Sequence, residues 1–387
     1  MMSLNDWVGK NKIAGQRVLG IDASRANSST RTGTEWYAYQ VIQGLKKLVP
    51  EDIQVVLYSK EPLRDGLEKL PANWESRVLR WPPGRFWTQM RLSWEMLVRP
   101  PDVLFVPAHT LPLLTPRKSI ITLHDLGFVA VPEAYTWGER LYHRFSAWFA
   151  ARRACQILTV SNFSRQEFSR LLGVAEERLA VTPLACDRQM FRADFSSDEV
   201  EAVVQRYNID QPYFLFVGRL ENKKNLRLLL TAFDEYILGG GKASLVLVGK
   251  RGLGADQTLA EMSEGVRQRV IEVGYVNPDD LPRLYAGATA FLFPSRYEGF
   301  GLPLLEAFAS GVPVIASDVA SIPEVAGEAA ILLNVDDVAA WAEAMTRIVV
   351  DTELREKLIK AGLERVADYS WDRLAATTWE VLALELD

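Results

Sequence analysis

One stretch constrains this chain more than any other: Phe291–Ser317, FLFPSRYEGFGLPLLEAFASGVPVIAS. A short apolar run, Phe291-Leu292-Phe293, reads as a buried strand that stops at Pro294. Pro303 suits the start of a helix whose apolar residues Leu304, Leu305, Ala307 and Phe308 fall on neighbouring faces. Gly311 ends that helix where a left-handed turn is needed, and Pro313 opens the next strand, Val314–Ala316. Strand, loop, helix, strand is the unit of a parallel α/β sheet, and α/β is the fold class expected.

The loop of this unit can carry chemistry. Gly299 and Gly301 flank Phe300, with Leu302 following, so the backbone can bend sharply and bring free N–H groups to an anion. Glu298 in the loop and Glu306 one turn into the helix bracket that site. Carboxylates repel phosphate, but they pair well with hydroxyl donors on either side of it. Hydroxyls, diphosphate, hydroxyls is the outline of a nucleotide sugar. Singly, Glu298 reads as a solvated loop residue and Glu306 as a complement to a helix dipole; the pair around Gly-Phe-Gly reads as a site.

EGFGLPLLE resembles the Glu-x7-Glu motif of the retaining glycosyltransferases of family 4, which have the GT-B fold. GRLENKKN before it and IPEV after it occur in that family in the same order, and the resemblance runs from about Gly20 to the C-terminus. It implies two facing Rossmann-like domains, with a last helix beginning near Ser370-Trp371 that crosses back to the first. The domains are then residues 1–195 plus 370–387 for the acceptor and 205–369 for the donor nucleotide, with a linker in the polar stretch Arg192–Glu201.

A length of 387 residues exceeds one ordinary core and suits two α/β domains. No apolar run approaches the roughly 18 residues that span a bilayer, and the start MMSLNDWVGKNK is too polar for a signal peptide. Cys155 and Cys186 have no CxxC spacing, so neither a disulfide framework nor a zinc site is indicated and a reducing cytoplasm is the default. The net charge of −5 divides into +7 over residues 1–190 and −12 over the remainder. A basic first half suits a lipid diphosphate or an acidic membrane face, so peripheral contact with the inner membrane is one reading; chance variation between domains is the other. A nucleic-acid partner is not expected.

In the first domain, Val18–Ile21, Val55–Tyr58, Val103–Val106, Ile120–Leu123 and Gln156–Val160 read as strands. A polar loop, Ala23–Thr34, follows the first strand, and the resemblance brings its Gly33 near the donor diphosphate, although family loops here are richer in glycine. The segment Arg80–Asp102 is rich in Trp and Arg. It reads either as a membrane edge or, preferred, as an amphipathic helix with Met90, Trp94 and Leu97 packed inward. His124 ends a strand on the edge where open α/β sheets bind ligands. By resemblance it contacts the donor sugar, with Asp125 orienting its ring; His109 and His143 are read as structural.

In the second domain, Tyr213–Val217 feeds GRLENKKN, where Gly218 gives a tight turn and Arg219 and Lys224 can both reach a diphosphate. The resemblance makes these two cations the clamp on the leaving group and prefers Lys224 to its neighbour Lys223. GKRGLG (249–254) is not a GxGxxG fingerprint. Lys250 and Arg251 in it, with Tyr275 and Val276 further on, lie where related enzymes hold the nucleobase.

The expected reaction is retaining transfer of a hexosyl unit from a nucleoside-diphosphate sugar to a glycan or lipid-linked saccharide in polysaccharide biosynthesis. A UDP-hexose is favoured, GDP-mannose second, and no cofactor or catalytic metal is expected, since the chain contains no Asp-x-Asp. The rivals are a nucleotide-sugar epimerase, an NAD-dependent dehydrogenase and a non-catalytic sugar-nucleotide binder.

Overall fold

The computed structural model describes residues 17–28, 31, 33–82 and 85–387. The described residues form two compact units, one within 17–126, 141–184 and 371–387, the other of 127–140 and 185–370. The chain thus changes unit at 126/127, 140/141, 184/185 and 370/371, none of them within the linker read from composition. That stretch instead opens a helix, Ser197–Arg206, in which the Ser196 hydroxyl accepts from Glu199 N–H and the Glu199 carboxylate accepts from Ser196 N–H.

The first unit is built on β1 (Arg17–Asp22), β2 (Ile53–Ser59), β3 (Trp74–Val78), β4 (Val103–Val106), β5 (Ser119–Leu123), β6 (Gln156–Thr159) and β7 (Leu179–Val181). They form one sheet in the order β3-β2-β1-β4-β5-β6-β7, parallel throughout. The inner strands are buried along most of their length because helices cover both faces of such a sheet. The helix Gly33–Leu48 buries Tyr37, Val41, Ile42 and Leu45. The last helix, Trp371–Leu386, returns to pack against it and belongs to this unit. Arg17 holds the terminal Asp387 at 2.6 Å.

The second unit holds β8 (Tyr213–Val217), β9 (Ser244–Val248), β10 (Val270–Gly274), β11 (Ala290–Phe293), β12 (Val314–Ser317) and β13 (Ala330–Leu333). Their order is β10-β9-β8-β11-β12-β13, again all parallel. The strand order reverses beside the first strand of each sheet, and open α/β sheets bind ligands at the carboxyl ends of the strands flanking that point. In the first unit β5, which ends in His124, lies one strand beyond that point on the same carboxyl edge. In the second that edge receives the ends of β8 and β11, hence GRLENKKN and the Glu298 loop.

One expectation is overturned. Thr88–Leu92 is π-helical and runs into the helix Ser93–Val98, but Met90, Trp94 and Leu97 are each more than half exposed. The buried face is Leu92, Met96 and Glu95. The carboxylate hid that face from a reading based on hydrophobicity; Glu95 is held by Arg91 at 3.0 Å and Arg77 of β3 at 3.3 Å.

Candidate active site

The second unit brings its charged residues to the carboxyl edge of its sheet. β8 ends at Val217, and Gly218 and Gly249, at the ends of adjacent strands, pass so close that a Cβ on Gly249 would stand 2.0 Å from Gly218 O. Only glycine fits there. Leu220 N–H then donates to Lys250 O at 3.0 Å, and Gly252 N–H to Leu220 O at 2.8 Å, zipping the two loops together. A short turn, Asn222–Lys224, follows, and Asn225, buried in a left-handed conformation, anchors it by donating to Val335 O at 2.8 Å.

This turn carries Lys224 to Glu298, with which it forms an ion pair in which both side chains are largely enclosed. Lys223 points elsewhere, its Nζ lying 5.4 Å from the Tyr297 ring. Arg219 is two-thirds exposed and makes a long contact to Glu221 at 3.5 Å, so its guanidinium stands at the open side of the same loop. Burial raises the Glu221 carboxyl above its ordinary range, opposed by Arg219 and Lys224.

The Glu298 loop is clamped from behind. Ser321, wholly buried, turns its hydroxyl to the carbonyls of Glu298 at 3.0 Å and Phe300 at 2.9 Å. Phe300 is buried edge-on to Tyr369, and Gly301 takes φ +107°, open to glycine alone, to cap the helix Leu302–Ala309. Glu306 lies on that helix and accepts from the Tyr285 hydroxyl at 3.0 Å. Desolvation raises the Glu306 pKa to about 7 despite that hydrogen bond. Cys186, its Sγ donating to Leu305 O at 3.4 Å, has its thiol pushed up to about 12 by burial and by Glu306. Tyr285 and Ser321 are the residues that sequence reasoning overlooks; neither stands in a motif, and both act on a neighbour's backbone or carboxylate.

The remaining expected residues divide. Gly218, Phe300, Gly301 and Leu302 join the Lys224–Glu298 cluster in the same strand-end loops. Lys250 lies beside the ring of the exposed Tyr275, with Val276 buried next to it. Arg251 is engaged by two carboxylates, forking onto Glu272 at 3.0 Å and reaching Asp256 at 2.7 Å, which leaves it poorly disposed toward an anion.

In the first unit, His124 is nearly buried at the end of β5. Its ring lies 4.8 Å from those of Tyr37 and His109, and its Nε2 is buried without a hydrogen-bond partner among the described residues. Desolvation, helped by His109 and opposed by Asp125, lowers its pKa to about 3. A neutral imidazole with an unused nitrogen can donate to or accept from a ligand hydroxyl. His109 is therefore a neighbour of this group, which its sequence position does not reveal. Gly33 opens the helix Gly33–Leu48 in open space and its backbone needs no glycine; Thr32, beside it, lies outside the described residues. Among the described residues, no three His, Cys, Asp or Glu side chains cluster as metal ligands.

Two family profiles match this chain. One described as "Glycosyltransferase Family 4" matches residues 31–189, and one described as "Glycosyl transferases group 1" matches 211–351. The O-antigen chain mannosyltransferase B of Escherichia coli is 36% identical over 265 residues, 68% of this chain and 69% of that protein. The chain belongs to the family 4 glycosyltransferases. Its fold is GT-B. Sucrose-phosphate synthase from Thermosynechococcus elongatus superposes with a TM-score of 0.72 at 19% identity, covering 95% of this chain and 98% of that one. Anabaena HepE, solved in complex with UDP and glucose, does so at 0.72 and 16%, covering 95% and 99%. As a family 4 glycosyltransferase the chain is an enzyme that transfers a hexosyl unit, which leaves the donor, the acceptor and the roles of the residues just described to be argued.

Proposed function

We propose that this enzyme transfers a mannosyl unit from GDP-mannose, with retention at the anomeric carbon, to a lipid-linked saccharide in the assembly of a surface polysaccharide on the cytoplasmic side of the membrane. The observation that carries the reading is the Lys224–Glu298 pair at the mouth of a helix that bears Glu306 one turn further in. Lys224, Arg219 and the N–H groups at the start of Leu302–Ala309 offer positive charge where a diphosphate would sit. Glu298 would exchange part of its contact with Lys224 for sugar hydroxyls, and ionised Glu306 would accept from the ribose diol. His124 would meet the sugar as a neutral hydrogen-bonding group.

In the front-face step, the bond from the anomeric carbon to the diphosphate oxygen breaks and a bond to the acceptor oxygen forms on the same face. The acceptor proton passes to the leaving diphosphate. The charge that develops is met by the cations and the helix mouth, so the step is read as metal-independent. Mannose is preferred to the glucose favoured on sequence grounds because the relative at 36% identity is a mannosyltransferase; HepE, crystallised with UDP and glucose, supports the second choice.

The test is a thermal-shift titration with GDP-mannose, UDP-glucose and ADP-glucose, followed by product analysis with a lipid-linked acceptor. GDP-mannose should raise the midpoint with a dependence on ligand concentration over Kd, and the product should keep the donor's anomeric configuration. A shift with UDP-glucose alone overturns the donor; an inverted product overturns the mechanism.

A further inference from the structure

The helix that turns Met90, Trp94 and Leu97 outward follows Phe86. Met90, Trp94 and Leu97 recur at spacings of four and three, one face of the helix, and Phe86 stands in the turn that leads into it; each of the four is 54% to 65% exposed. On the helix Trp137–Arg153, Leu141, Phe145 and Trp148 form a second such line at spacings of four and three, each about half exposed. The two lines lie side by side in the first unit: Gln89 donates to the Tyr142 hydroxyl at 2.8 Å, which also meets Thr110 at 3.4 Å. An exposed apolar face of this extent calls for a partner.

The charge around it says which. Residues 80–118 and the helix 137–153 contain ten Lys and Arg but only three carboxylates, Glu95, Asp102 and Glu139. Glu95 is buried among arginines, Asp102 accepts from Val18 N–H at 2.8 Å, and Glu139, at the start of its helix, accepts from Thr136 N–H at 2.9 Å. Arg85, Arg144 and Arg152 are exposed, and the Arg152 guanidinium lies 5.4 Å from the Trp148 ring, putting a cation at the edge of the apolar face. Aromatic and long apolar side chains set among arginines suit the boundary between acyl chains and anionic headgroups.

We infer that this face of the first unit docks on an anionic phospholipid bilayer, with Phe86, Trp94, Phe145 and Trp148 entering the interface and the arginines meeting lipid phosphates. The inference rests on the lipid-linked acceptor for its purpose. The test uses neither donor nor acceptor, so the two can fail separately.

The whole chain is sedimented with phosphatidylcholine vesicles, with and without phosphatidylglycerol. Binding is expected to the anionic vesicles and to fall in about 0.5 M salt, where screening is short-ranged. Trp94→Ser with Trp148→Ser should weaken it at least about tenfold, the loss of two interfacial aromatics. Arg144→Glu with Arg152→Glu should weaken it comparably on anionic vesicles and leave neutral vesicles unaffected. All four side chains are exposed, so both variants should melt within a few degrees of the parent. The salt titration of the unaltered chain tests the charge argument without any variant. Absence of binding to anionic vesicles overturns the inference, as does full binding by both folded variants. Self-association that the tryptophan variant abolishes, without vesicle binding, would overturn it in favour of a second copy on this face.

Discussion

The two strand-end sites solve opposite electrostatic problems. In the second unit, Lys224 and Glu298 are enclosed as a pair, Arg219 stands beside them in solvent, and Glu306 is held on the helix that starts at the glycine cap. In the first unit, His124 sits against Tyr37 and His109, with its charged form suppressed by burial. Under the proposed function, that difference is a division of labour. Charge that develops on a leaving group needs fixed opposite charge, whereas a sugar hydroxyl needs only a neutral, desolvated donor or acceptor.

The sharpest way to break that division is to remove the charge. Lys224→Ala should lower kcat by about 10²–10³-fold, the usual cost of deleting a preorganised stabilising group. It should also destabilise the fold by about 3 kcal/mol, because Glu298 is left enclosed without its cation. Arg219→Ala should lower kcat too, but being exposed it should leave the melting temperature within a degree or two. Steady-state kinetics paired with denaturant unfolding separates the two; an Lys224→Ala enzyme with undiminished kcat would take the leaving-group role away from this cluster.

The first unit should respond without a pH signature. His124→Ala is expected to reduce kcat/KM by about tenfold through the loss of a hydrogen bond in a desolvated place. Its folded pKa, lowered to about 3, lies below the unfolded value, so its contribution to stability is full above pH 6.5 and fades as pH falls toward 3. The ring should therefore stay neutral between pH 5 and 8. Histidine chemical shifts followed by NMR would show this as a flat titration. A midpoint near 6.5 would make His124 an ordinary exposed imidazole and erase the contrast.

What could be read in the chain beforehand follows the same physics. Central strands announce themselves because both faces are buried; Val103–Val106 and Tyr213–Val217 read with their observed bounds. Edge strands such as Trp74–Val78, with alternating exposure, and the three-residue Leu179–Val181 carry too little apolar signal to be found. The helix Ser197–Arg206 was legible in principle, since Ser196 and Glu199 have capping-box spacing, but its polarity reads as a linker. At the site, charged residues in motifs are visible in sequence. Their supports are not: Tyr285, Ser321 and His109 reach Glu306, the Glu298 loop and His124 only through the fold. The Met90 face fails for a related reason, because a buried glutamate ringed by arginines imitates an outward one.

The smallest expected effect lies within the second unit and concerns Glu306. Its carboxyl, raised to about 7 by burial, favours the protonated form in the fold. By sign, that preference stabilises the free enzyme fully below about pH 4.5 and is lost as pH rises through about 7. A ribose diol needs the ionised form as its acceptor. Donor KM should accordingly fall as pH is raised from 6 to 8, and the donor-induced rise in melting temperature should grow over the same range. The Tyr285 hydroxyl donates to the carboxylate and so favours ionisation. Tyr285→Phe should move the midpoint upward and raise KM at neutral pH by about two- to fivefold, the worth of one hydrogen bond, with kcat little changed. A KM indifferent to pH in both enzymes would mean that Glu306 is not what holds the ribose, and would leave Lys224, Arg219 and Glu298 as the charged contacts to the donor.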